Sequence, residues 1–204
     1  MNIDATLQTW DPAAGSTEGG SVMALDGAQR GVLRGMMSAL VLSLVLLLAS
    51  IVWQPAFLVP LAPPAERLAA TLRWDAAVLA CLILAIGSLA RHRFFTPADI
   101  DGSGLTTATE HARVLQAVLH NTLEQAVIAV LAHLLWSVAT PPGWQAAIPV
   151  AVLLFVIGRA CFALRYSAGA AARAFGFALT FYPTVILTVI ALGTLLVRGG
   201  GGAA

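Results

Sequence analysis

Long apolar runs alternate with short polar connections along the 204 residues, and the runs set the architecture. From Gly35 to Ala65, 31 consecutive residues carry no charge, and from Ala174 to Val197 another 24 carry none. About 20 apolar residues span a bilayer, so the pattern predicts an all-α integral membrane protein and excludes a water-soluble globule. Five apolar segments follow: A over 36–59, B over 74–91, C over 111–137, D over 145–165 and E over 174–197. Segment B has only 15 uncharged residues between Asp75 and Arg91, so it spans by letting Arg73, Trp74, Arg91 and Arg93 reach the two interfaces. Pro60, Pro63 and Pro64 punctuate the chain after A, and Pro141, Pro142 and Gly143 separate C from D. Helices joined so tightly pack as antiparallel neighbours. Residues 1–33 mix Gly, Ser, Pro and acids without period and 198–204 are Gly-rich, so both read as disordered tails. The first apolar run starts too far into the chain, and runs too long, for a signal peptide. The predicted organisation is a tail over 1–33, an extra N-terminal transmembrane helix over 34–60, a four-helix membrane domain over 74–197 and a tail over 198–204.

Composition narrows the function classes. Hydrophobic residues make up 59% of the chain and charged residues 10%, against about 25% charged in a soluble domain. Eleven cations against ten acids leave a net charge of +1 and no basic face for nucleic acid. Cys81 and Cys161 lie in apolar segments without CxxC or Cys/His spacing, which indicates neither a disulfide framework nor a metal site. Arg30, Arg34, Arg91, Arg93, Arg165 and Arg173 fall on one side of a five-span layout, with Arg67, Arg73 and Arg198 on the other. The positive-inside rule then predicts a multi-pass protein with a cytoplasmic N-terminus.

Segment C is unusual for a span. Thr107-Ala108-Thr109-Glu110 announces it as a capping box, and its first half carries Arg113, Gln116, His120, Asn121, Glu124 and Gln125. With Arg113 at zero and about 100° per residue, Gln116 falls near −60°, His120 near −20°, Glu124 near +20° and Asn121 near +80°. A charged side chain in hydrocarbon costs at least about 2.5–3.5 kcal/mol, so this stripe should face protein or a wet cleft. Asn121 and Glu124 could simply join helices through interhelical hydrogen bonds, whereas the whole stripe points to a site. His133, near +200°, points elsewhere, into the bundle or to an interface.

A second cluster ends D and begins E, in GRACFALRYSAGAAARAFGF. A continuous helix there would place Arg159, Tyr166 and Arg173 on one face, with Arg165 turned away. Arg159 needs a counter-ion at mid-span, and Glu124 is the acid expected at that depth. The pair would be either a structural salt bridge or part of a site.

Asn121-Thr122-Leu123-Glu124-Gln125 in an amphipathic span, followed by a further span and by Arg165-Tyr166-Ser167-Ala168-Gly169 with Arg173, resembles the MAPEG family, the membrane-associated proteins in eicosanoid and glutathione metabolism. The likeness covers roughly residues 75–197, with segment A and the tail outside it, and fits a divergent, bacterial-type member of an inner membrane. It implies a four-helix bundle assembled as a homotrimer, with glutathione as co-substrate bound between subunits and a lipophilic small molecule arriving from the bilayer. Carried over by position, Asn121 and Glu124 match best, Tyr166 matches the first Tyr of an RYxxGY pattern, and Arg113 and Arg159 join them as binding residues. Arg173 is the candidate for the thiolate-stabilising role. Three positions depart from the pattern: Ala117 stands where many members have Arg, Gln125 follows the Glu, and Ala170 replaces the second Tyr. The resemblance implies glutathione conjugation to lipophilic electrophiles or peroxide reduction. The departures favour an alternative, a non-catalytic scaffold or lipid-binding protein, and a proton or ion conductor using His120 and Glu124 is a third reading.

Overall fold

A computed structural model describes residues 25–54, 63–102, 105 and 107–200. Five helices carry the fold: α1 Gly27–Trp53, α2 Pro64–Phe95, α3 Glu110–Ala139, α4 Ala147–Leu164 and α5 Ala170–Gly200. Each is long and apolar enough to cross a membrane, α4 together with the turn from Pro142 that precedes it. The all-α membrane fold read from the sequence is therefore correct. Residues 1–24, 55–62 and 201–204, which include most of both expected tails and Pro60, lie outside the described residues.

Three boundaries differ from expectation. Helix α1 starts at Gly27, inside the stretch read as a tail, because Asp26 caps it reciprocally: Gln29 N–H donates to Asp26 Oδ1 at 2.6 Å and Asp26 N–H donates to Gln29 Oε1 at 2.9 Å. At the other end of the chain, Arg198 belongs to α5 and donates to the Ala139 carbonyl at 3.0 Å. Helix α3 begins at Glu110, two residues later than a cap at Thr107 would start it, because its cap is Thr109, with Ala112 N–H donating to Thr109 Oγ1 at 3.3 Å.

The largest difference is in α2. Segment B was expected from residue 74, with Asp75 at its margin; the helix opens ten residues earlier at Pro64, a residue suited to the first helical position. Asp75 is buried within it, its Oδ1 2.6 Å from His133 Nδ1 on α3. One turn earlier the Thr71 and Ser137 hydroxyls lie 2.7 Å apart, and a turn before that Arg67 donates to the Thr140 carbonyl at 3.0 Å. Arg67, Thr71 and Asp75 repeat every four residues and so share one face, forming a polar ladder against α3. A carboxylate that looks like a terminus when counted as a charge is here an interior residue with a partner.

The contacts fix the direction of the helices. Arg67 meets the end of α3, Arg93 donates to Gln116 near its start at 3.1 Å, and Gly35 of α1 lies against Phe175 of α5. Thus α1, α3 and α5 begin at the end where α2 and α4 finish. That end carries Arg30, Arg34, Arg91, Arg93, Arg165 and Arg173. Between α3, α4 and α5, the side chains of Trp136, Ile148, Phe155 and Leu187 form the apolar core.

Helices α4 and α5 approach very closely where the site is built. A methyl group added at Gly176 would stand 2.5 Å from the Phe162 nitrogen and 2.8 Å from the Gly158 carbonyl. Only glycine fits such a crossing, and it sets Arg159 directly opposite Thr180.

Candidate functional site

Arg159, 4% exposed, is held from two other helices and by a ring of its own helix. One terminal nitrogen donates to Asn121 Oδ1 of α3 at 2.7 Å and the other to Thr180 Oγ1 of α5 at 2.9 Å. Its guanidinium also lies 4.5 Å from the Phe162 ring centroid, within the range of cation–π attraction. The expected Glu124–Arg159 salt bridge is not formed. Asn121 and Gln125 are the α3 residues turned towards α4 and α5, whereas Glu124, about 60° from Asn121 by helical spacing, points outward. Glu124 pairs instead with His120 on its own helix at 3.2 Å, with both side chains largely exposed.

The polar stripe on α3 divides between two grooves. The first, about 330 Å³, lies at the Arg-rich end and is lined by Arg93, Arg113, Gln116, Ala117 and His120, with Asp99 at its floor. The second, also about 330 Å³, is mainly apolar and runs among α1, α3, α4 and α5, with Asn121, Tyr166 and Arg173 as its polar groups. Ala117 lines both. The structure thus brings Asn121, Tyr166 and Arg173 together, places Arg113 in the adjoining groove, buries Arg159 behind Asn121 and leaves Glu124 outside both.

Tyr166 and Arg173 meet by a different route from the one expected. The helix does not continue through them: α4 ends at Leu164, and Gly169, at φ 98°, turns the chain into α5. That turn folds Arg173 back over Tyr166, its guanidinium 4.4 Å from the ring centroid. Tyr166 in turn packs edge-on against Phe162 at 5.3 Å. An aromatic–cation stack therefore runs from buried Arg159 through Phe162 and Tyr166 to Arg173 at the groove.

The floor of the first groove is built on Asp99. Thr109 donates to it twice, from N–H to Oδ1 at 2.9 Å and from the hydroxyl to Oδ2 at 2.6 Å, and His92 Nε2 lies 2.8 Å from Oδ2. The Thr109 hydroxyl, the Thr109 N–H and His92 together hold the Asp99 carboxyl below the usual carboxylate range. This anchor ties the connection after α2 to the start of α3 and so fixes Arg93 relative to Arg113.

Sequence reasoning missed this anchor, the Asp75–His133 pair and the part played by Thr180. The i, i+4, i+8 spacing of Arg67, Thr71 and Asp75 was a usable signal, matched on α3 by His133 and Ser137. Thr180 gave no signal, because a hydroxyl in an apolar helix can bond its own backbone, as Thr180 also does to the Phe177 carbonyl at 2.8 Å.

No curated protein and no solved structure matches the chain. The model of the MAPEG family matches residues 68–193, which takes in α2 to α5 through most of their length and leaves α1 outside. The chain belongs to the MAPEG family.

Proposed function

We propose that this protein is a membrane-embedded glutathione transferase acting on lipophilic electrophiles. The observation that carries the reading is the junction at Ala117 of a cationic groove with an apolar groove that holds Arg173 and Tyr166. Glutathione carries two carboxylates and one ammonium. Arg93 and Arg113 suit the carboxylates, since guanidinium forks pair with carboxylates through two parallel bonds. Glu124, beside the groove-lining His120, is the acid available to the ammonium. The small Ala117 side chain leaves a way for the cysteinyl arm to pass from the first groove into the second.

In the second groove the Asn121 amide and the Arg173 guanidinium would meet the sulfur. A thiol has an ordinary pKa of about 8.5, and a cation beside it favours the thiolate. The thiol proton leaves to water, the sulfur lone pair forms a bond to an electrophilic carbon, and the leaving group departs with its bonding pair. Arg159 acts through Asn121: it occupies Oδ1, which turns the amide N–H donors away from itself. The departure at Ala117 then acquires a physical sense, because Arg at 117 would fill the junction between the grooves.

The same reading includes assembly as a homotrimer with the Arg-rich end cytoplasmic. His120 and Glu124 have side chains 71% and 57% exposed on the outward face of α3. Leaving a charge against lipid costs about 2.5–3.5 kcal/mol or more, so covering that face with a second copy removes a large penalty. The test is calorimetric titration of the purified protein with glutathione, with conjugation of chlorodinitrobenzene followed in parallel. Binding weakened by Arg113→Ala, with turnover in the wild type, supports the reading. Neither binding nor turnover leaves the scaffold alternative in its place.

A further inference from the structure

We propose that α1, the helix outside the family match, is one wall of the acceptor site, and that Met36 and Val32 limit the length of the apolar electrophile the protein accepts. The inference rests on the transferase reading above and assigns the second groove to the acceptor. Val32 and Met36 line that groove together with Phe162 and Phe177, and both are half-buried while their neighbours Leu33 and Met37 are exposed.

The placement of α1 is tight. A methyl group at Gly35 would stand 3.1 Å from the Phe175 nitrogen, and one at Gly31 would stand 2.7 Å from the Ala171 side chain. The two glycines lie one turn apart and bring the α1 backbone against α5, as small residues do in membrane helix pairs. Val32 and Met36 each follow one of these glycines, about 100° further round the helix, so they flank the seam and overhang the groove. Met36 also packs against the cluster of Ala39, Ala178 and Leu179, which fixes its stem.

The chemistry of the groove specifies the acceptor. Beyond Asn121, Tyr166 and Arg173 the walls are apolar, and no carboxylate lines the groove among the described residues. It suits a neutral molecule whose electrophilic carbon sits by Arg173 and whose hydrocarbon tail runs between Met36 and Phe177. Without α1 that side of the groove would open to lipid, and tail length would not be limited there.

The experiment uses the full-length protein and a series of n-alkyl isothiocyanates of increasing chain length. The thiolate adds to the central carbon and nitrogen takes the proton, so there is no leaving group to vary. Met36→Trp is expected to reduce kcat/KM for the longest chains at least tenfold more than for the shortest, and Val32→Ala to shift the profile towards longer chains. Met37→Trp, on the exposed side of α1, should keep the wild-type profile. A chain-length profile that does not change in Met36→Trp, or that falls equally at every length, overturns the proposal. A binding readout separates this from failure of the transferase reading: an alkyl diazirine should photolabel peptides containing Met36 and Phe177, and Met36→Trp should abolish that labelling. Labelling without turnover removes the transferase and keeps the α1 site, whereas turnover without labelling at α1 does the reverse.

Discussion

Asn121 Oδ1 accepts a hydrogen bond from Arg159 at 2.7 Å, so a cation buried at mid-helix is held by an amide, where a carboxylate was expected. The bond joins α3 to α4 and, through Thr180, to α5. It also orients Asn121, whose N–H donors are left for the groove. Replacing Asn121 with Ala removes a hydrogen bond to a charged group, so the protein should lose about 1.5–3 kcal/mol of stability. Thermal unfolding in detergent measures this. An unchanged melting temperature would mean that Thr180 and Phe162 suffice to hold Arg159.

Asp75 and His133 form the inner rung of the α2–α3 ladder, and both are buried. Removing one partner strands the other, whereas replacing both with apolar residues leaves nothing unpaired. Asp75→Leu and His133→Leu should each destabilise the bundle, by about 1–3 kcal/mol for a buried polar group left without its partner. The double variant should cost less than the sum of the two, with a coupling of about 0.5–3 kcal/mol. Denaturant titration of the four proteins gives this coupling; strict additivity would show that the two side chains do not support one another.

Asp99 gives the fold a pH dependence of definite sign. Its folded-state carboxyl lies below the ordinary range because of Thr109 and His92. The contribution to stability is therefore complete above the ordinary carboxylate pKa, about 3.9, and is lost as the pH falls through the lower folded-state value. Asp99→Asn should lower the melting temperature at neutral pH, and the gap from wild type should close in acid below about pH 4. A gap that persists unchanged in acid would place the stabilisation elsewhere.

Ala117 lies where the two grooves meet, and a larger side chain there should separate binding from chemistry. Ala117→Leu is expected to keep the cationic groove and obstruct the passage of the cysteinyl arm. Conjugation should drop at least tenfold, about 1.4 kcal/mol in kcat/KM, while calorimetry still detects glutathione. Equal loss of both would mean that Ala117 supports the binding groove itself.

Much of the fold was legible in the charge-free runs, because a bilayer imposes length and apolarity on every span. The failures came from charges counted as boundaries. Asp75 shortened segment B on paper, yet a carboxylate can lie within a span when His133 faces it. The candidate residues at the second groove were legible in part: Asn121, Tyr166 and Arg173 converge there. Their relation to Glu124 was not, because the stripe on α3 spans two directions, one towards α4 and α5 and one away from the bundle. Helical angles fix which residues share a face; which neighbour covers that face depends on packing, here on the Gly158–Gly176 crossing that sets Arg159 beside Thr180. The contribution of α1 was likewise hidden, since the polar residues beside Val32 and Met36, Arg34 and Ser38, lie on its exposed side, and the two groove residues are apolar like most of the helix.

If Arg173, held over Tyr166, makes bound glutathione a thiolate as proposed, the proton state of the bound sulfur should depend on it. Ultraviolet difference spectra of the protein–glutathione complex across pH test it directly, because the thiolate absorbs where the thiol does not. The wild type should show the thiolate band at pH 7, and in Arg173→Leu the band should appear only near the ordinary thiol pKa of about 8.5. A bound thiol that titrates identically in both proteins would contradict the account.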